Sequence, residues 1–404
     1  MRVLVIPSSD YLGHPFPQRH NQLFERIHDS KEFEVHVVRF NIFGKPKLTS
    51  KCIIHEIPLE ISISSTGFYY LANIINYTTE ILRIIKKEFI DVVFAGNLLP
   101  PLVYVLVRNI IGTKTPIIFD LQDYYPTSAA GYLVDVKSTF GTVLNGFFEA
   151  ITRYLIRSAS AVTIPGIALE MYSRRVGAKK VYMIPNGISE LFLVKHDGRS
   201  IRRKLGYSED DLVIGYIGSI EFWLDMESLI KAVSIAKGKG LPVKLLLVGK
   251  HLQTGYSLKV RRWLRDYRVE DITTWLDFIP HSEVPMYAAA MDVATIPFNI
   301  DNPTAYYAVP NKLWEYLSQG TPVAATPIPE VLAYRSMDGI FLVKVAEDYV
   351  KLFEDIWRRR ERVSSSRIEG ILRARLWSHS VERLKNLLRL LSLYKASRLS
   401  QGEH

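Results

Sequence analysis

Pro310-Asn-Lys-Leu-Trp-Glu-Tyr-Leu-Ser-Gln-Gly320-Thr-Pro-Val323 reads as a helix, a left-handed exit and the start of a strand. Proline suits the first turn of a helix, where its missing N–H is not needed, and glycine suits the positive φ of a helix exit. Asn311 and Glu315 stand four apart and Lys312 and Glu315 three apart. The three polar side chains therefore share neighbouring parts of one helix face, while Leu313 and Leu317 turn to another. Val309 offers no side-chain acceptor for a cap, so the expectation is that the first amides stay open to an anionic acceptor. Lys312 adds a point charge suited to a phosphate, and Glu315 can accept from two hydroxyls. On spacing alone, a plain surface helix with an Asn/Lys/Glu solvent face satisfies the same pattern.

Outward from this stretch, short apolar runs alternate with helix-length segments. The strand candidates of the first half are Arg2–Pro7, Glu34–Arg39, Ile53–Ile57, Asp91–Ala95, Pro116–Asp120, Ala161–Ile164 and Val181–Ile184, with helices expected over Tyr69–Glu88 and Val136–Ser158. The pattern restarts at Leu212–Ile217 and continues through Val243–Val248, Thr273–Asp277, Asp292–Ile296, Pro322–Ala325 and Ile340–Val343. Continuous apolar strands separated by helices imply parallel sheets covered on both faces. Two such series predict an α/β chain of two doubly wound, Rossmann-like domains facing a cleft, with ligands at the carboxyl ends of the strands. The boundaries expected are 1–190, 191–376 and a last helical segment, 377–404. Within it Val381, Leu384, Leu387, Leu388 and Leu391 form one stripe, which either closes the second domain or crosses back onto the first.

The 404 residues exceed a typical single core, and the composition, 48% hydrophobic and 23% charged, is that of a globular protein rather than a disordered one. The net charge of +10 suits phosphate-bearing partners without choosing among them. Cys52 is the only cysteine, which excludes an intrachain disulfide and a thiolate zinc site. The ten histidines show no metal-ligand spacing, so no metal is expected. Arg2–Pro7 reads as a buried strand rather than a secretory leader, and no apolar run reaches transmembrane length, so a cytoplasmic location is expected.

The motif Pro-Asn-Lys-Leu-x-Glu-Tyr-Leu-x-x-Gly-x-Pro-Val, followed by Pro329-Glu330, resembles the donor segment of family 4 glycosyltransferases with the GT-B fold. The resemblance implies that Glu315 binds the ribose hydroxyls of a nucleotide sugar and that Asn311 and Lys312 lie beside its diphosphate and sugar, next to Pro310. Many members carry a second, sugar-binding glutamate eight positions before this one; here that position is Tyr307. Gly218-Ser219 resembles the first strand-to-loop turn of the family's C-terminal domain, without the cation that often follows it. Val248-Gly249-Lys250 and Phe278-Ile-Pro280-His281 are similar to segments near the nucleotide base, and Pro185-Asn186-Gly187 to the turn closing the first domain. In the first half, Gly13, His14 and Arg19 resemble the family's glycine-containing first loop, and Asp120 or Asp123 its acidic turn facing the acceptor.

The catalytic candidates are Asp123, to orient the acceptor hydroxyl, His14, and Lys312 on the leaving phosphate. The binding candidates are Gly13, Arg19, Gly218, Ser219, Lys250, Tyr307, Pro310, Asn311 and Glu315. The resemblance implies a retaining, metal-independent transfer of sugar from a nucleotide sugar, as co-substrate and with no cofactor, to a glycan or polyprenyl-linked acceptor. A nucleotide-sugar epimerase or a phosphorylase on the same fold is the alternative, and a non-catalytic or nucleic-acid-binding protein the other. Scattered cations without a recognised module argue against nucleic acid. Phe68-Tyr-Tyr-Leu71 with Arg83, Lys86 and Lys87, and Phe147-Phe148 with Arg153 and Arg157, mix aromatic and basic residues. They suggest peripheral docking on an anionic surface at the inner face of the cell membrane, although core aromatics beside solvated cations give the same pattern.

Overall fold

The computed structural model describes residues 1–14, 16–57, 66–112, 115–249, 254–359, 362–364 and 366–400. They form two compact units, Met1–Gly187 with Trp377–His404, and Ile188–Leu376.

The first unit holds β1 (Arg2–Ile6), α1 (Arg19–Asp29), β2 (Glu34–Arg39), β3 (Ile53–Glu56), α2 (Thr66–Ala72), α3 (Ile74–Lys87), β4 (Val92–Ala95), α4 (Leu99–Ile111), β5 (Ile117–Asp120), α5 (Tyr125–Gly131), α6 (Thr139–Ser158), β6 (Ala161–Ile164), α7 (Ile167–Val176) and β7 (Val181–Met183). The strands pair in parallel in the order β3-β2-β1-β4-β5-β6-β7. Val3, Val5, Val92, Phe94 and Ile118 are fully buried, as central parallel strands require when helices cover both faces. Right-handed crossovers place α1 on one face and α3, α4, α6 and α7 on the other.

The C-terminal helix, Trp377–Ser400, joins the α1 face: Trp377, Val381, Leu384, Leu387 and Leu388 share one core with Leu23, Phe24 and Ile27. It therefore crosses back onto the first unit, the second of the two alternatives read from its stripe. Ser380 Oγ ties it to Pro185 O at 2.7 Å. A Cβ on Gly187 would lie 2.6 Å from Trp377 Cδ2, so only glycine fits beneath the indole.

The second unit restarts the pattern with β8 (Leu212–Ile217), β9 (Val243–Val248), β10 (Thr273–Leu276), β11 (Val293–Ile296), β12 (Val323–Ala325) and β13 (Ile340–Leu342), all parallel, in the order β10-β9-β8-β11-β12-β13. The strand order reverses direction between β1 and β4 in the first unit and between β8 and β11 in the second. Crevices at the carboxyl ends of these pairs are where open α/β sheets hold ligands.

Local chemistry moves some expected boundaries. The single helix expected over 69–88 breaks at Asn73 into α2 and α3. α6 starts at Thr139, because the Ser138 side chain accepts from Gly141 N and caps it there. The helix carrying the opening motif runs over Lys312–Ser318, with Asn311 as its N-cap residue, so Pro310 precedes the helix instead of starting it. Gly320 makes the left-handed exit with φ 72°. Tyr69, Tyr70 and Phe148, expected at a docking surface, are buried, whereas their neighbours Leu71 and Phe147 are exposed. Phe68 lies outside the described side chains. Among the described residues no helix is long and apolar enough to cross a membrane.

Leu384 is fully buried between the C-terminal helix and α1. Leu384→Ala is expected to cost the first unit about 2–5 kcal/mol of unfolding free energy. Denaturant titration read by hydrogen exchange should show that loss in α1 and β1 and leave β8 and β9 unchanged.

Candidate functional site

In the second unit, polar groups gather at the carboxyl ends of β8 and β11. Gly218 follows β8 with φ 145° and Gly249 follows β9 with φ 150°, both in a region L side chains avoid. The two loops meet backbone to backbone: a Cβ on Gly249 would overlap Gly218 O. Gly218 N bonds Val248 O at 2.8 Å, and Gly249 N bonds Leu276 O at 2.8 Å. Ser219 is exposed at the tip. Lys250 lies outside the described residues.

The helix Lys312–Ser318 is pinned onto this turn by two tyrosines. Tyr316 OH accepts from Ile217 N at 2.8 Å and donates to Ile217 O at 3.2 Å. Lys312 Nζ donates to Tyr216 OH at 3.0 Å and stands 4.4 Å from the centre of that ring. Tyr216 OH in turn donates to Ser219 O at 2.7 Å. A Cβ on Gly218 would lie 2.5 Å from Lys312 Nζ, so glycine is what lets the ammonium reach the turn.

Lys312 and Glu315 are both half-buried. Burial lowers the Lys312 ammonium to about 8, against a smaller opposing pull from Glu315. Burial likewise raises the Glu315 carboxyl to about 7, against Lys312. Pro310 is buried, and the Asn311 carbonyl accepts from Trp314 N at 2.9 Å and Glu315 N at 3.1 Å. Leu313 N is taken by Pro310 O at 3.2 Å, so the helix start offers fewer open amides than the sequence suggested, and seven residues make only a weak dipole. Among the described residues, the positive charge of this corner is therefore Lys312. Tyr307 is half-buried, edge-on to Tyr306 with centroids 5.2 Å apart.

In the first unit a buried ionic cluster occupies the carboxyl ends of β1, β5 and β6. Asp120 is fully buried and receives Arg19 Nε at 3.0 Å, Arg19 Nη2 at 3.2 Å and Thr163 Oγ1 at 2.7 Å. His20 Nδ1 accepts from Ser8 N at 3.3 Å, and its Nε2 lies 3.0 Å from Asp120 Oδ2 and 2.7 Å from Gln122 Nε2. A Cβ on Gly96 would lie 2.7 Å from His20 Cε1. Burial alone would raise the Asp120 carboxyl, but Arg19 and His20 outweigh it and hold it well below the usual carboxylate range.

Arg19 also donates to Asn186 Oδ1 at 2.8 Å and is 7% exposed. Its guanidinium braces β5 and the Pro185-Asn186-Gly187 turn, a structural role in place of the substrate contact expected. Gly13 is similarly structural. Its amide bonds Asp10 Oδ1 at 2.9 Å, a Cβ there would overlap the Asp10 carboxylate, and Asp10 also receives Arg39 Nε at 3.3 Å. His14, on the same loop, packs edge-on to Phe43 at 5.2 Å, and burial lowers its pKa, which leaves it neutral at pH 7. Asp123 is exposed at its surface, yet the surrounding protein desolvates it and pushes its carboxyl up to about 6, Asp120 adding and Arg19 opposing. The sequence signalled Asp120 by an acid ending an apolar strand; nothing local signalled His20, Tyr216 or Tyr316.

The family described as glycosyl transferases group 1 matches residues 211–358, the span that contains Gly218, Lys312 and Glu315. That span of the second unit is similar to the group 1 glycosyl transferases. A Bacillus subtilis (strain 168) protein named, provisionally, as the teichuronic acid biosynthesis glycosyltransferase TuaH is 28% identical over 153 residues, 38% of this chain. The match spans 36% of that relative's length. Sucrose-phosphate synthase from Thermosynechococcus elongatus superimposes with a TM-score of 0.76 at 17% identity, covering 98% of this chain and 100% of its own. Anabaena HepE, solved in complex with UDP and glucose, gives 0.72 at 15% identity over 96% and 99%. At these identities the two structures establish the architecture: the group 1 domain is the second half of a GT-B fold.

Asp120→Ala would strand the buried Arg19 guanidinium, at an expected cost of about 3–5 kcal/mol to the first unit. With its carboxyl held low, Asp120 contributes in full above about pH 4, and the contribution is lost as pH falls further. Urea midpoints measured against pH should therefore separate wild type and variant at neutral pH and converge in acid.

Proposed function

We propose that the chain transfers a sugar from a nucleotide diphosphate sugar to a glycan or lipid-linked acceptor. The observation that carries this reading is the half-buried Lys312 ammonium, held by Tyr216 against the Gly218 turn and three residues from the half-buried Glu315 carboxylate. A cation beside a glycine turn suits a diphosphate, and a carboxylate one helical turn on suits the two hydroxyls of a ribose. The group 1 family of the domain supports the same reading.

Sugar transfer builds negative charge on the leaving phosphate. Lys312 is the group placed to neutralise it, with the backbone of Gly218 and Ser219 alongside. The reading needs no metal or cofactor for that step. Retention of configuration is proposed from family resemblance. Asp123, raised toward neutrality, is proposed to orient the acceptor hydroxyl, which it would do best as the carboxylate. Tyr307, where a sugar-binding glutamate often stands, would give the transferred sugar an aromatic wall in place of a carboxylate. An acceptor carried on an anionic membrane agrees with the basic net charge.

Calorimetry with UDP, GDP and ADP tests the donor site. One of them should bind, with affinity rising as Glu315 ionises through about 7 and falling as Lys312 loses its proton through about 8. Glu315→Ala should weaken binding about 10- to 100-fold, the worth of one or two hydrogen bonds to a charged group. If no nucleotide binds, or if the substitution leaves affinity and its acid limb unchanged, the donor reading fails.

A further inference from the structure

The outer helical layer of the first unit carries an apolar surface with no use inside the fold. On α6, Phe140, Val143, Phe147 and Tyr154 are 64%, 65%, 56% and 37% exposed. Spacings of three, four and seven place them on one stripe, while Phe148, Ile151 and Leu155 turn to the core. α4 packs beside α6 and exposes Leu106 and Ile110, at 45% and 82%. Exposed apolar side chains gathered on two neighbouring helices mark an interaction surface.

Charge selects the occupant. The first unit carries 25 Lys and Arg against 17 Asp and Glu, the second 26 against 24, so the basic excess of the chain belongs almost entirely to the unit with the patch. Residues 136–187 hold seven Lys and Arg and two Glu. Both glutamates are already paired, Glu149 with Arg153 at 2.7 Å and Glu170 with Arg174 at 2.8 Å. Arg153 and Arg157 fall along one edge of the apolar stripe, about 60–100° round the helix from its centre. A two-fold contact between copies would press this basic face against itself. An anionic bilayer instead offers acyl chains to the phenyl rings and phosphates to the flanking guanidiniums.

We propose that the α4–α6 layer docks on an anionic lipid bilayer, α6 lying along the interface with Phe140, Val143 and Phe147 inserted. The proposal deepens the lipid-linked acceptor reading. Its residues lie in the first unit and those of the donor site in the second.

Sedimentation of the full chain with vesicles, without nucleotide, tests it. The chain should sediment with phosphatidylcholine vesicles containing a quarter phosphatidylglycerol, weakly with phosphatidylcholine alone, and less as salt rises. Phe140→Ser with Phe147→Ser should lower partitioning at least about tenfold, given the apolar area each ring would bury. Thermal midpoint and nucleotide binding should be unchanged. Ile110→Ser, at the most exposed of these positions, is a second and milder variant expected to act in the same direction. The proposal is overturned if wild type ignores anionic vesicles, if both variants sediment like wild type, or if light scattering shows a dimer that the double variant dissolves. Nucleotide binding measured without vesicles reports separately on the donor site.

Discussion

The candidate site depends on the approach of two glycine turns that no side chain could permit. Gly249 lies so close to Gly218 O that a Cβ would overlap it, and Gly218 in turn leaves the space that Lys312 Nζ fills. Tyr316 closes the arrangement by bonding both the amide and the carbonyl of Ile217. Helix and turn are thereby one rigid corner, and the charge of Lys312 is delivered to a set place at the carboxyl ends of the strands. Under the proposed function, preorganisation of this sort would serve a leaving phosphate better than a mobile surface lysine.

The first unit solves a different problem with a similar economy. Asp120 sits fully buried at the end of an apolar strand, which is tolerable only because Arg19, His20 and Thr163 meet it. The same Arg19 reaches Asn186, so the end of β5 and the last turn of the first unit's main segment are braced by one guanidinium. Asp123, three residues beyond Asp120, stays open and acquires its raised pKa from this surrounding. One acid is thus committed to structure, and the other is the one proposed to meet the acceptor.

The strands were legible in the sequence because parallel strands buried on both faces must be continuous apolar runs. The expected and observed strands differ by a residue at their ends, for example at Pro116 and Asp277. The helices were less legible where local caps decide. Ser138 caps and delays α6, whereas α2 and α3 part at Asn73 and the motif helix starts after Asn311 with no side-chain cap to mark either place. Phe147 and Phe148 are adjacent in sequence yet exposed and buried in the fold, since one residue turns a helix by 100°. Lys312 and Glu315 do share one helix, with Asn311 as its N-cap residue. The spacing could not show that Lys312 rests on Tyr216, 96 residues away, or that Arg19 is claimed by Asp120, 101 residues away. Those are consequences of topology, and local pattern carries no trace of them.

The account rests on a nucleoside diphosphate occupying the corner made by Gly218, Lys312 and Glu315. A crystal structure of the chain with its tightest-binding nucleoside diphosphate tests this most directly. The account predicts the diphosphate against Lys312 Nζ and the Gly218 turn, with both ribose hydroxyls on the Glu315 carboxylate. A nucleotide bound elsewhere, with Lys312 still on Tyr216 and Glu315 untouched, would contradict it.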